Sequence, residues 1–321
     1  MDKIAYLVLA HHDPIHLERL INAINHKSHI FIHLDKKTKN DKYLHIADMD
    51  SVDFITEREK VYWGGLSQVK ATLNLIKAAL GKTALENFTH LVFLTGSDYP
   101  IKPVSAFYDF LKSNRNMQFI KFINLMEETP WRLTNYWFME PFQPFLDDSL
   151  FRRLLQKLFH LGVTRKPLSN VFPAWGSGNW AMTPKCAAFI MQYLEQNPAF
   201  LNFYKYAHCP DEQFFHTIIA NSPFLQEAGG FREEIRWPHE VSNITLNFEG
   251  RIFTEEDYEF LEDLSFNRKP SEQRMSRDLS LLMGSSVIRG AFSYDSFFFA
   301  RKFTTEKSSS LLDKIDKNLL S

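Results

Sequence analysis

The sequence predicts an α/β fold in which a mostly parallel central sheet is flanked by helices. Short apolar runs alternate with helically spaced apolar residues through the first hundred positions, and polar turn-forming residues close each run. The composition agrees: 45% hydrophobic and 23% charged residues suit a chain that buries a core rather than one that stays disordered. Strands separated by helices need crossover connections, which favour parallel pairing with helices over the sheet faces.

Taken in order, Ile4 to Ala10 is the first apolar run, ended by His11-His12-Asp13-Pro14. Asp13 can cap a helix through Ile24, with Pro14 in its first turn. His29 to Leu34 is a second, β-branched run, stopped by Asp35-Lys36-Lys37, and Val52 to Ile55 is a weaker third. After Trp63-Gly64-Gly65, Ser67 is the expected cap of a helix carrying Val69, Leu73, Ile76 and Leu80, and His90 to Leu94 makes the next strand. Ligands of such sheets bind beyond the carboxyl ends of the strands, and His11, Asp35 and Asp98 all fall at or just after those ends. The second half is less regular. Helices are expected over Leu150 to Leu161, Pro184 to Glu195 and Pro210 to Asn221, a long loop or lid over Glu262 to Gly290, and a return to the fold at Phe297 to Phe303. No linker divides the chain, so 1–321 is expected to be one domain.

Bulk properties exclude several classes. With 37 Lys and Arg against 38 Asp and Glu, the net charge of -1 provides no field for gathering nucleic acid. Two cysteines, Cys186 and Cys209, form no CxxC pair, which argues against a disulfide framework or a cysteine-rich zinc site. Neither GxGxxG nor GxxxxGK[ST] occurs, which lowers dehydrogenase and P-loop assignments. The first strand-like run starts at Ile4 with no secretory signal before it, and no apolar run approaches the roughly 20 residues that span a bilayer. A cytoplasmic location is therefore expected. Residues 151–166 interleave Arg152, Arg153, Lys157, Arg165 and Lys166 with leucines and Phe159. That segment reads either as a helix with one face in the core or as one docking peripherally on the anionic inner face of a membrane.

Five constellations could carry chemistry. Pro210-Asp211-Glu212 ahead of Phe214, Phe215, Ile218 and Ile219 looks like the first turn of a helix, where carboxylates are favoured by the dipole. Glu212 there is either a good helix start or a general base. Arg301-Lys302, set among aromatic residues, is either a solvated pair or two cations able to neutralise a diphosphate. Trp175-Gly176-Ser177-Gly178-Asn179-Trp180 is either a tight aromatic turn or a sugar subsite with stacking rings and a hydrogen-bonding Asn179. Asp48-Met49-Asp50 has the spacing of a metal-binding pair, but the polar segment before it, His45-Ile46-Ala47, lacks the buried strand that would fix both carboxylates. His11-His12 is metal-like in composition, although adjacent histidines in an extended chain point to opposite faces.

Together these segments resemble the core-2/I-branching β-1,6-N-acetylglucosaminyltransferase and protein xylosyltransferase family, glycosyltransferase family 14. The landmarks run in order: Tyr6 to His11, His33 to Lys37, Trp63-Gly64-Gly65, Gly96 to Pro100, Gly176 to Trp180, Pro210-Asp211-Glu212 through Pro223, and Phe298 to Phe303. The resemblance implies a fold of the GT-A type, with a nucleotide-binding half over 1–125 and an acceptor-binding half over 126–321 that ends in a diphosphate-binding segment. It implies an inverting transfer from a UDP-sugar that needs no divalent metal, with Glu212 as the catalytic base. Arg301 and Lys302 match the diphosphate pair, Asp35 and Lys37 the uridine segment, and Ala10 and His11 lie beside them on the donor side. Asp98, Ser177, Asn179 and Trp180 are the expected acceptor or sugar contacts. Some relatives carry an acidic residue before the Trp of the Gly-Ser segment, where this chain has Asn179. The implied partners are a nucleotide sugar and an oligosaccharide or glycolipid acceptor. N-acetylglucosamine is the first expected sugar and xylose the second, in a bacterial-type cytoplasmic member, with a non-catalytic glycan-binding relative as the remaining alternative.

Overall fold

Every residue from Ile4 to Ala10 in strand β1 (Asp2–Ala10) is buried, which is why the run reads as continuously apolar rather than alternating. The structure is a computed structural model. It describes residues 1–120, 123–140, 163–228, 244–247, 251–268 and 297–321, with single positions 154, 157, 159 and 271 between them. On one side β1 pairs in parallel with β2 (Ser28–Leu34), from Ile4 opposite Ser28 to Ala10 opposite Leu34. On the other it pairs in parallel with β4 (Asn87–Thr95). β3 (Val52–Phe54) adds in parallel to β2, and β8 (Ala181–Met182) runs antiparallel to β4. The order β3-β2-β1-β4-β8 is thus a mostly parallel sheet, as predicted.

Helices cover both faces. Ile4, Tyr6, Val8 and Ala10 share a core with α1 (Pro14–Ile24), α3 (Val104–Ser113), α6 (Tyr258–Ser265) and the C-terminal α7 (Thr305–Asn318). Ala5, Leu7 and Leu9 pack on the opposite side with α2 (Leu66–Lys82), α4 (Pro184–Gln196) and α5 (Phe214–Ala220). The period-two split of β1 between two cores is what a strand in the middle of three layers requires.

A second sheet carries the chain's end to the first. β5 (Asp98–Pro100) follows β4 after Gly96 and Ser97, and β10 (Phe299–Arg301) pairs antiparallel with it, Arg301 opposite Asp98. β9 (Thr245–Asn247) lies parallel on the far side of β10. The following α7 is anchored on α1: Arg19 bonds Asp313 at 2.7 Å and Asp316 at 2.6 Å, and the Asp13 carboxylate accepts from both His16 N (3.1 Å) and Thr305 N (2.7 Å). One aspartate thus caps α1, as the sequence suggests, and fixes the start of α7 just beyond Arg301-Lys302.

Several expectations are corrected. α2 begins at Leu66 behind Gly65, not at Ser67; the Ser67 hydroxyl accepts from Tyr62 N at 2.9 Å, and Glu140 Oε1 receives Ser67 N at 2.5 Å. A carboxylate from another segment thus caps this helix, which a local pattern does not reveal. Gly64 has φ +69°, a left-handed conformation that favours glycine. The Pro210 to Asn221 helix is broken into a 3-10 turn over Pro210–Glu212 and α5. α6 extends into the supposed loop from Glu262, burying Leu264, because its apolar positions face α7. The rest of that segment except 271, from 269 to 290, and the expected helix over 150–161 apart from single positions, lie outside the described residues. His11 and His12 rings lie 4.1 Å apart rather than on opposite faces, because β1 has ended and the backbone turns at Asp13.

Trp180 is 1% exposed and lies flat on Phe93, ring centroids 5.5 Å apart, with Phe215 at the same distance. Its place is the core under β4, so no face of the ring is open for a sugar. Trp180→Ala is expected to cost about 3–5 kcal/mol of stability, read as a lowered denaturant midpoint with unchanged slope. No helix among the described residues is long and apolar enough to cross a membrane.

Candidate active site

Cys209 adopts a left-handed φ of 47°, which turns the chain into the short Pro210–Glu212 helix, and Gln213 breaks out at φ -131° before α5 starts. The buried Gln213 amide donates to the carbonyls of His208 and Cys209, using a side chain where a helix would have used backbone. Glu212 therefore does not sit in the first turn of an α-helix, and the expected dipole support is replaced by side chains. Its backbone is tied to the end of β7 (Ala174–Trp175), the antiparallel partner of β6 (Ile123–Asn124), by Gly176 N to Glu212 O at 2.9 Å. Oε2 accepts from Arg132 Nη1 at 2.5 Å and from the Trp175 indole at 3.0 Å. Both bonds fall on one oxygen. Oε1 has no hydrogen-bond partner among the described residues, and the side chain keeps 28% exposure.

Arg132 is the residue the sequence did not single out. It belongs to the helical turn Trp131–Thr134, its guanidinium stacks over Trp175 (4.7 Å) and Trp131 (5.4 Å), and its side chain is 10% exposed. Contact with two tryptophan rings restrains the guanidinium, so the donor to Glu212 arrives preset. The only signal was an arginine beside a tryptophan in an aromatic stretch, which lacks periodicity.

Asp211 points inward. Its Oδ2 accepts from Gln68 Nε2 of α2 at 2.8 Å and lies 3.3 Å from where a Gly178 Cβ would be, while Oδ1 is buried with no hydrogen bond. Burial, with the adjacent Glu212 carboxylate second, pushes the Asp211 carboxyl up to about 7, against the pull of Arg301 and Arg132. Asp211 thus sits between Glu212, its neighbour in the chain, and Gly178, whose neighbour Asn179 bonds Asp98 and Arg301. The folded state then holds a proton that the unfolded chain releases near pH 4. Stability from this group is full below that pH and is lost as the pH rises through about 7. Asp211→Asn is expected to gain stability relative to the parent over this window, measured as the difference between their thermal midpoints at stepped pH; a constant difference would contradict the assignment.

At the other end, Arg301 closes β10 with Lys302 next to it. Asp98 is fully buried and accepts from Thr95 N (3.1 Å), Thr95 Oγ1 (2.7 Å) and Asn179 Nδ2 (2.9 Å), with Arg301 Nε at 3.6 Å. Burial raises the Asp98 carboxyl while Arg301 opposes it. The Lys302 ammonium is lowered by burial and then by Arg301. Ser177 is half-buried, its hydroxyl accepting from Asn179 N (3.3 Å) and its carbonyl facing His216 Nε2 (3.0 Å). Asp98 and Asn179 are too deeply buried to present a face to an acceptor; they lie behind Arg301.

The residues expected on the donor side gather along the carboxyl ends of β1 and β2. Asp35 N bonds Ala10 O at 2.8 Å, Asp35 Oδ1 receives Lys37 N at 2.8 Å, and Lys37 Nζ reaches Val61 O at 2.5 Å with Tyr62 beneath it. His11 lies within electrostatic reach of Asp35, Lys37 and Lys302, linking this edge to the cation pair. Asp48 and Asp50 are exposed in the turn before β3. Since β3 is parallel to β2, that turn lies at the opposite, amino-terminal edge of the sheet. Among the described residues, no group of three or more His, Cys, Asp or Glu could hold a metal ion.

A parallel sheet bearing an oriented carboxylate and a cation pair beyond its carboxyl ends agrees with the comparison to known families: the Core-2/I-Branching enzyme family matches residues 4–237, and the chain belongs to it. The match spans Glu212, Asp35 to Lys37 and the Gly176 to Trp180 turn, and ends before Arg301-Lys302. The chain is 28% identical over 229 residues to xylosyltransferase 2 of Rattus norvegicus, covering 69% of this chain and 25% of that protein. It is 26% identical over 230 residues to the rat xylosyltransferase 1, covering 69% and 26%. Human xylosyltransferase 2 is similar at 28% over 229 residues, covering 68% and 25%. The aligned part of the chain thus spans about a quarter of the length of these relatives.

Proposed function

We propose that this chain is an inverting glycosyltransferase that takes a sugar from a UDP-sugar in a single displacement, without a divalent metal. The observation that carries the proposal is the Glu212 carboxylate, held on Oε2 by Arg132 and Trp175 with Oε1 left open. Oε1 takes the proton of an acceptor hydroxyl as its oxygen bonds the anomeric carbon, and the bond from that carbon to the diphosphate breaks. Arg301 and Lys302 receive the charge that develops on UDP. Ala10, His11, Asp35 and Lys37 bind the nucleoside side. An α-linked donor then gives a β-linked product.

Xylose is placed first among sugars, reversing the order implied by the resemblance, because the curated relatives are xylosyltransferases. N-acetylglucosamine is second, on the strength of the family. The acceptor is an oligosaccharide or glycolipid, and peripheral membrane contact through 151–166 in the cytoplasm belongs to the same proposal. A panel of UDP-sugars followed by mass spectrometry, with and without EDTA, tests it. UDP-xylose is expected to be consumed fastest, at the same rate in both conditions. Consumption that stops with EDTA and returns with manganese would overturn the metal-free part, and preference for another sugar would overturn the donor.

A further inference from the structure

We propose that Asp98 and Asn179 are positioning residues for Arg301, balancing its charge from behind while leaving its donors free for the diphosphate; this rests on the assignment of Arg301 to the diphosphate. Arg301 contrasts with Arg58, another partly buried arginine. Arg58 donates through all three of its nitrogens, to Leu34 O, Asn40 Oδ1, Asp35 O and Thr38 O. Among the described residues Arg301 makes one long bond, Nη1 to Asn179 Oδ1 at 3.5 Å, and its Nε is a buried donor without a hydrogen bond.

Its charge, by contrast, is answered. Asp98 Oδ1 stands 3.6 Å from Nε, too far for a hydrogen bond but close enough for strong attraction in a buried setting. Asp98 cannot drift, because Thr95 and Asn179 hold both its oxygens and its backbone is the β-partner of Arg301. Asn179 ties the two together, donating through Nδ2 to Asp98 and accepting through Oδ1 from Arg301. A carboxylate at 179 could accept from Arg301 but would face Asp98 as a like charge at contact distance; only an amide serves both neighbours. A side chain with balanced charge and unspent donors is what a reversible diphosphate contact needs: held in place, yet not occupied.

The test is calorimetric titration of UDP and of uridine into the parent, Asn179→Ala, Arg301→Gln and the double variant, with thermal midpoints recorded to confirm folding. Asn179→Ala is expected to weaken UDP about tenfold while uridine stays within about twofold, and to add nothing further once Arg301 is Gln. Equal losses for UDP and uridine, or additive losses in the double variant, would overturn the inference and leave the function standing. If Arg301→Gln alone leaves UDP affinity unchanged, the diphosphate assignment falls and this inference falls with it. Should Asn179→Ala fail to fold, Asn179→Ser is titrated in the same cycle and judged by the same two outcomes.

Discussion

Glu212→Gln is expected to lower turnover by about 10²–10⁴-fold while UDP affinity changes by less than about twofold. The amide oxygen can keep both bonds that now fall on Oε2, from Arg132 and the Trp175 indole, so the side chain stays where it is. What changes is the open position. An NH₂ group there donates where Oε1 accepted, and the acceptor's proton has no destination. Steady-state rates and calorimetry on one preparation separate the two quantities. Ordinary turnover in this variant would remove Glu212 from the chemistry, whereas a large loss of UDP affinity would mean that the substitution disturbed the donor site.

Arg301→Gln and Lys302→Gln are each expected to lower turnover by about 10²–10³-fold, the scale for a preorganised charge that meets developing negative charge. Their contributions should differ in kind. Arg301 is offset by Asp98, so it supplies directed donors. Lys302 is half-buried, with its ammonium lowered by burial and by Arg301, so it supplies net charge in a place where charge is poorly screened. UDP affinity should therefore fall more steeply with salt in the parent than in Lys302→Gln, while Arg301→Gln should keep most of the salt slope. Near-parent turnover in both variants would contradict a cation pair doing the work of a metal.

The framework was legible because it rests on burial. Ile4 to Ala10, His29 to Leu34 and His90 to Leu94 announce strands covered on both faces, and Asp13-Pro14 announces the helix it caps. The misses share a different cause. Ser67 looks like a cap, but Glu140, more than seventy positions away in the chain, performs that role. Pro210 to Asn221 has helical periodicity throughout; the break at Gln213 arises from the left-handed Cys209 and from carbonyls that the Gln213 amide satisfies. Trp180 looks like a stacking ring, yet the β8 strand turns it under Phe93. Of the candidate site, Glu212 and Arg301-Lys302 are nominated by the ordered landmarks around them rather than by their own spacing. Arg132 could not, since its role comes from two tryptophans that frame it in space and from a carboxylate 80 positions away.

The most direct test of a single displacement from Glu212 is the stereochemistry of the first-formed product. Proton NMR of UDP-α-xylose hydrolysed by the full chain, read before mutarotation, needs no knowledge of the acceptor. The β anomer of free xylose is the predicted first product, and initial release of the α anomer would contradict the account.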